Sequence, residues 1–177
     1  SIQLLFYRRD LFEDPTYKRM YFETFREHLA VPRTFTEYNR VASFFTRSEH
    51  PASPTQYGST VAIGNVVVSP SEFMPRLFAE NGQLLDAQGR ITVDTPEALR
   101  ALENYRETYR WSDRTVYDFW KNALEGFADG SAAMTVVFIN YASHILNLNM
   151  SRIAGKLGFA PVPGGRPLLG GGVIGIT

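Results

Sequence analysis

The sequence contains no cysteine. Disulfides, thiolate catalysis and cysteine-ligated zinc are therefore excluded, while the compartment stays open, because cysteine-free proteins occur inside and outside cells. It also carries no net charge: 18 basic residues balance 18 acidic ones. With no basic run either, there is no general attraction to nucleic acid or to an anionic membrane. No uninterrupted apolar stretch reaches the ~18–20 residues that span a bilayer. Only three histidines are present, His28, His50 and His144. They lie far apart and form no His-Glu-x-x-His pattern, so they read as scattered helix or surface residues and not as a metal set. Ser59, Ser69 and Ser71 sit in no Gly-x-Ser-x-Gly elbow. The glycine-rich tail lacks the lysine and hydroxyl residue of a phosphate loop.

What is present is an ordinary globular composition, 44% hydrophobic over 177 residues. A chain of this size buries roughly 70% of its extended surface and needs no metal or disulfide staple. Ile2 to Tyr7 are apolar and aromatic and read as a strand, with Arg8-Arg9-Asp10 as its solvated end. Residues 17–29 carry a helical pattern, stopped by Pro32. Thr34…Glu37 and Ser69-Pro70-Ser71-Glu72 are both capping-box patterns that open helices, the first running to about Thr46 and the second ending near Asn81-Gly82. Residues 57–63 suit a strand, with Gly58 and Gly64 permitting close packing. Residues 84–93 suit a hairpin around Ala87-Gln88-Gly89. Further helices open at Thr95-Pro96-Glu97 and at Thr115, the latter reaching about Ala128. Residues 132–138 read as a central strand, 141–148 as a short helix and 158–163 as a strand broken by prolines. The mixture is α/β. The first and last segments both read as strands without a polar taper, which gives the expectation of a piece taken from a longer protein.

Several segments, in order, resemble those of the extracellular solute-binding proteins, family 1. They are Leu5-Phe6-Tyr7-Arg8-Arg9-Asp10-Leu11-Phe12; Pro32-Arg33-Thr34-Phe35-Thr36-Glu37-Tyr38; Phe127-Ala128-Asp129-Gly130-Ser131-Ala132-Ala133-Met134; residues 151–164, which include Gly155-Lys156-Leu157-Gly158 and Pro161-Val162-Pro163-Gly164; and the pair Gly171-Gly172. The resemblance covers nearly the whole chain. It implies a periplasmic-binding-protein-like type II lobe, a mixed sheet flanked by helices. Residues 1–163 would form most of the second lobe and residues 164–177 the hinge crossover and the start of a first-lobe strand.

The same resemblance implies a substrate-binding component of an ABC importer, periplasmic or on the extracellular face. It would bind a sugar, polyol or glycerol derivative and deliver it to a permease, with no enzymatic step, cofactor or metal. The full-length protein is expected to be a monomer, and the fragment to self-associate through faces that the other lobe would cover. Contacts to the solute are expected from Glu72, from Phe138, Asn140 and Tyr141, and from Gly171, Gly172 and Val173. Members of the family usually have a tryptophan after the glycine pair; here Val173 cannot stack on a sugar face. Trp111 and Trp120 read as packing residues. Two alternatives stand beside this reading: an α/β enzyme domain, and a sensor or regulatory domain built on the same binding fold.

Overall fold

The structure, a computed structural model, describes residues 1–63, 66–114 and 120–170. Four strands make one sheet: β1 (Gln3–Arg8), β2 (Tyr57–Thr60), β3 (Ala132–Phe138) and β4 (Leu157–Ala160), in the order β2-β3-β1-β4. β1 runs antiparallel to both of its neighbours, and β2 runs parallel to β3, so the sheet is mixed. All seven residues of β3 are buried. Its near-continuous apolar run is what a strand covered on both faces requires. The polar exception, Thr135, is bonded across the ladder to the Thr60 hydroxyl at 2.7 Å.

Side chains along β1 alternate between two cores, as the two-residue period of a strand demands. Leu5 and Tyr7 join α1 (Arg9–Glu13), α2 (Pro15–Phe25) and α3 (Phe35–Phe44) on one face. Leu4 and Phe6 join α6 (Trp120–Ala128) and α7 (Ala142–Ile145) on the other. The first face is rich in aromatics: Phe12, Tyr17, Phe44 and Phe45 meet in tilted and edge-on pairs with centroids 5.0–6.0 Å apart. Two further helices, α4 (Ser69–Ala79) and α5 (Pro96–Arg110), pack on each other through Leu77, Ala98 and Ala101.

Local departures from the sequence reading have local causes. Arg8 and Asp10 are no solvated strand end: Arg8 lies 12% exposed and forks onto the Asp10 carboxylate at 2.6 and 2.7 Å, where α1 begins. The helix expected to reach Leu29 stops at Phe25, because Arg26 turns into the left-handed region with φ 58°. β2 ends at Thr60 and β4 at Ala160, ahead of Pro161 and Pro163. The segment expected as one helix over 141–148 is a 3₁₀ turn (Ile139–Tyr141) followed by α7. The expected helix start at Thr115 lies outside the described residues.

The Thr34 capping box forms as expected: the Thr34 hydroxyl accepts from the Glu37 amide at 3.1 Å, and the Glu37 carboxylate accepts from the Thr34 amide at 3.3 Å. The Ser69 box does not. Helix α4 is capped by Val68 with no side-chain bond, and the Glu72 carboxylate is engaged elsewhere. Gly58 does permit close packing, since a Cβ there would fall 1.8 Å from the Ala42 carbonyl oxygen. The hairpin over 84–93 is a tight loop in which the Asp86 carboxylate accepts from the Gln88 and Arg90 amides, both at 2.9 Å.

Candidate binding cleft

The C-terminal end of β3, the N-terminal end of β1 and the segment before Gly171 converge at one end of the sheet's two inner strands. Gln3 fastens them. It is 2% exposed, donates from Nε2 to the Ser71 carbonyl at 2.9 Å and accepts at Oε1 from the Leu168 amide at 3.2 Å. A glutamine inside an apolar strand is therefore a clamp between α4 and the return segment, because a buried carboxamide needs partners on both of its ends. The Ile139 amide donates to the Ile2 carbonyl at 2.8 Å, which fixes the chain as it leaves β3.

At this junction lies a cleft of about 280 Å³ lined by Ser1, Trp120, Phe138, Asn140, Tyr141 and Gly170. Three of the residues expected from the sequence, Phe138, Asn140 and Tyr141, are brought together here. Trp120, read from sequence as packing, joins them. Its ring stands edge-on to Phe138, 5.6 Å between centroids and 85° between planes, and its indole N–H donates to the Ser71 hydroxyl at 2.9 Å. That bond fixes one edge of the indole while the ring remains half-exposed. Phe138 is 8% exposed. Gly170 is required beside it, since a Cβ would fall 2.5 Å from Phe138 Cε1.

Asn140 is exposed and accepts at Oδ1 from the Ser1 hydroxyl at 2.8 Å. None of the side chains lining the cleft carries a formal charge. The arrangement, ring surfaces beside a carboxamide, suits a neutral ligand with apolar C–H faces and hydroxyl edges.

Glu72 is not brought to the cleft. Its side chain is 6% exposed and points inward, where Oε1 accepts from the Ala62 amide at 3.0 Å and Oε2 from Arg76 at 3.2 Å. Burial pushes its carboxyl above the usual range, and the Arg76 guanidinium and the Ala62 N–H pull the other way without cancelling it. Arg76, one turn on in the same helix, is 2% exposed and needs an anion, and the Ala62 amide reaches Glu72 from outside the helix. Gly171, Gly172 and Val173 lie outside the described residues. Trp111 packs against the aromatic core as expected. Among the described residues no group of three or more His, Asp and Glu is placed to hold a metal, and no helix is long and apolar enough to cross a membrane.

No protein-family model and no curated protein matches the chain. Solved structures do. A solute-binding protein of an ABC transporter from Agrobacterium radiobacter K84, in complex with ribitol, aligns with a TM-score of 0.73 at 23% identity over 92% of this chain and 37% of its own. Maltose-bound MalE3 of T. maritima aligns with a TM-score of 0.69 at 26% identity, over 93% and 40%. A solute-binding protein from Thermotoga lettingae TMO bound with alpha-D-tagatose gives 0.67 at 24% identity, over 92% and 39%. The chain thus spans about two fifths of the length of these proteins. Its fold is theirs over that span, a periplasmic-binding-protein-like type II mixed sheet with flanking helices.

Proposed function

We propose that this chain is most of one lobe of the solute-binding component of an ABC importer, residues 1–163, with the hinge crossover from residue 164, and that it grips a neutral sugar or polyol. The observation that carries the reading is the aromatic cleft, lined by uncharged side chains, at the end of the central strands, in a fold shared with proteins solved with ribitol, maltose and tagatose. Trp120 and Tyr141 supply ring faces for the C–H surface of the ligand, Phe138 the floor, and Asn140 hydrogen bonds to hydroxyls. Glu72 acts from behind, holding α4 so that Ser71 can fix Trp120. Val173 has no ring, so stacking falls to these residues.

Such a site binds without making or breaking bonds. The rest of the protein supplies the opposite wall, and closure of the two walls raises affinity by shifting the population toward the shut form. A permease would take up the solute from a periplasmic or extracellular position. Calorimetric titration of the intact protein with ribitol, mannitol, tagatose, maltose and glycerol phosphodiesters tests the reading. Saturable binding to a neutral class, weakened by Trp120→Ala and Asn140→Ala, supports it. No binding across the panel, or binding that both variants leave untouched, overturns it.

A further inference from the structure

The return segment ahead of Gly171 runs against the start of β1. The Gln3 amide donates to the Leu168 carbonyl at 3.3 Å, the Gly170 amide donates to the Ser1 carbonyl at 2.9 Å, and Ile2 and Leu169 form an antiparallel bridge. Two routes lead from this segment to the aromatic pair of the cleft. One is apolar: Gly170 lies against Phe138, whose ring meets Trp120. The other is polar and passes through Gln3. The Leu168 amide donates to Gln3 Oε1, Gln3 Nε2 donates to the Ser71 carbonyl, and the Ser71 hydroxyl accepts from the Trp120 indole. Gln3 also stands opposite Phe138 in the register of β1 and β3, which brings the two routes back together.

Each link of the polar route has one orientation. Ser71 has a single hydroxyl proton, which goes to the Val68 carbonyl at 2.7 Å, so a lone pair is what it offers the indole. The Gln3 carboxamide is fixed in the same way: turned over, it would set N–H against the Leu168 N–H and oxygen against the Ser71 carbonyl. Gln3 and Ser71 are 2% and 4% exposed, so solvent does not make good a bond that either of them loses.

We propose that Gln3 is a positioning residue for Trp120: it ties the angle of the indole to the path of the return segment, so that a movement of residues 168–170 changes the ring face offered to the solute. This rests on the reading of the cleft as a sugar or polyol site and adds how that site is set. The test is nuclear magnetic resonance of the intact protein. Gln3→Met should move the Trp120 Nε1–H resonance. Trp120→Phe, which removes the indole donor and keeps a ring, should in turn move the Leu168 amide resonance, because coupling is reciprocal. Added to Gln3→Met, Trp120→Phe should leave the Leu168 amide where Gln3→Met alone puts it. Ser71→Ala cuts the same route at the hydroxyl and takes the place of Gln3→Met if that variant does not fold: on it too, Trp120→Phe should leave the Leu168 amide unmoved. Where maltose or ribitol binds the parent, Gln3→Met should weaken it about fivefold. A Trp120 resonance unmoved by Gln3→Met, a Leu168 shift that survives the cut route, or solute binding that Gln3→Met leaves untouched overturns the proposal. No binding by the parent overturns the sugar reading instead, while the resonances still decide the role of Gln3.

Discussion

Helix α4 serves two polar and aromatic clusters that look alike in composition and behave differently. At its first turn, Ser71 meets Trp120 and the cleft. Over the following turns, Glu72 and Arg76 enter a sealed network. There Thr108 links Arg76 to Asn39 at 3.1 and 2.6 Å, Tyr105 donates to the Ala62 carbonyl at 3.0 Å, and Tyr38 shares a 2.6 Å bond with Ser59. Burial pushes the Tyr38 and Tyr105 hydroxyls well above the usual phenol range, which keeps both neutral. In the network almost every polar atom is answered within the chain. In the cleft, Trp120 is only partly buried and Asn140 is exposed. Aromatic and polar residues side by side do not by themselves mark a binding site; what matters is whether their bonding capacity is already used.

The comparison breaks most visibly at Arg76. Arg76→Met should strand the Glu72 carboxylate in the interior and lower stability by about 3–5 kcal/mol, read from the denaturant midpoint. Glu72→Leu combined with Arg76→Met should cost less than the single change, because no buried charge is left behind. A double variant as unstable as the single one would mean that the network's geometry, not its charge pairing, holds the helices. Next in size, Trp120→Ala should weaken binding of the cleft's ligand about tenfold or more through lost ring contact, measured calorimetrically on the intact protein. Asn140→Ala should weaken the same binding by about 1 kcal/mol and change stability by less than about 0.5 kcal/mol, since its side chain is exposed.

The smallest effect is a dependence on pH. The Glu72 carboxyl is raised in the folded state above its ordinary 4.5, so folding favours its protonated form. Its contribution to stability is full below pH 4.5 and declines as pH rises from there through the raised value. Glu72→Gln should remove this decline. The difference between the two stability curves, from denaturant titrations over this range, should slope only in that window. A flat difference would mean that Glu72 ionises as easily inside as outside.

Particular residues show what was legible in the sequence. The Thr34 box was readable because every partner in it lies within one turn. The Ser69 box has the same pattern, yet Glu72 is drawn off by Ala62 and Arg76, and Ala62 reaches it from outside the helix. A local motif can be read only while no distant group outcompetes it. β3 was readable from its unbroken apolar run, whereas Phe138, Asn140 and Tyr141 were expected only from the resemblance to a known family. Trp120 and Gln3 were not readable. Their roles depend on Ser71 and Leu168, which only the folded chain brings near. Arg26 gave no warning either, since an arginine rarely takes the left-handed conformation that ends α2.

The position of β1 bears on how the chain is made. Within this region the strand that comes first in the chain is an inner strand of the sheet, and its partners follow late: Gln3 pairs with Phe138, and Leu5 with Ala160. Most of this region must therefore be extended before β1 can meet either of these partners. Such non-local pairing slows folding and exposes nascent chains to aggregation. The aromatic layer of α1 to α3 follows β1 immediately in the chain, and it can cover one face of the strand while the edges wait.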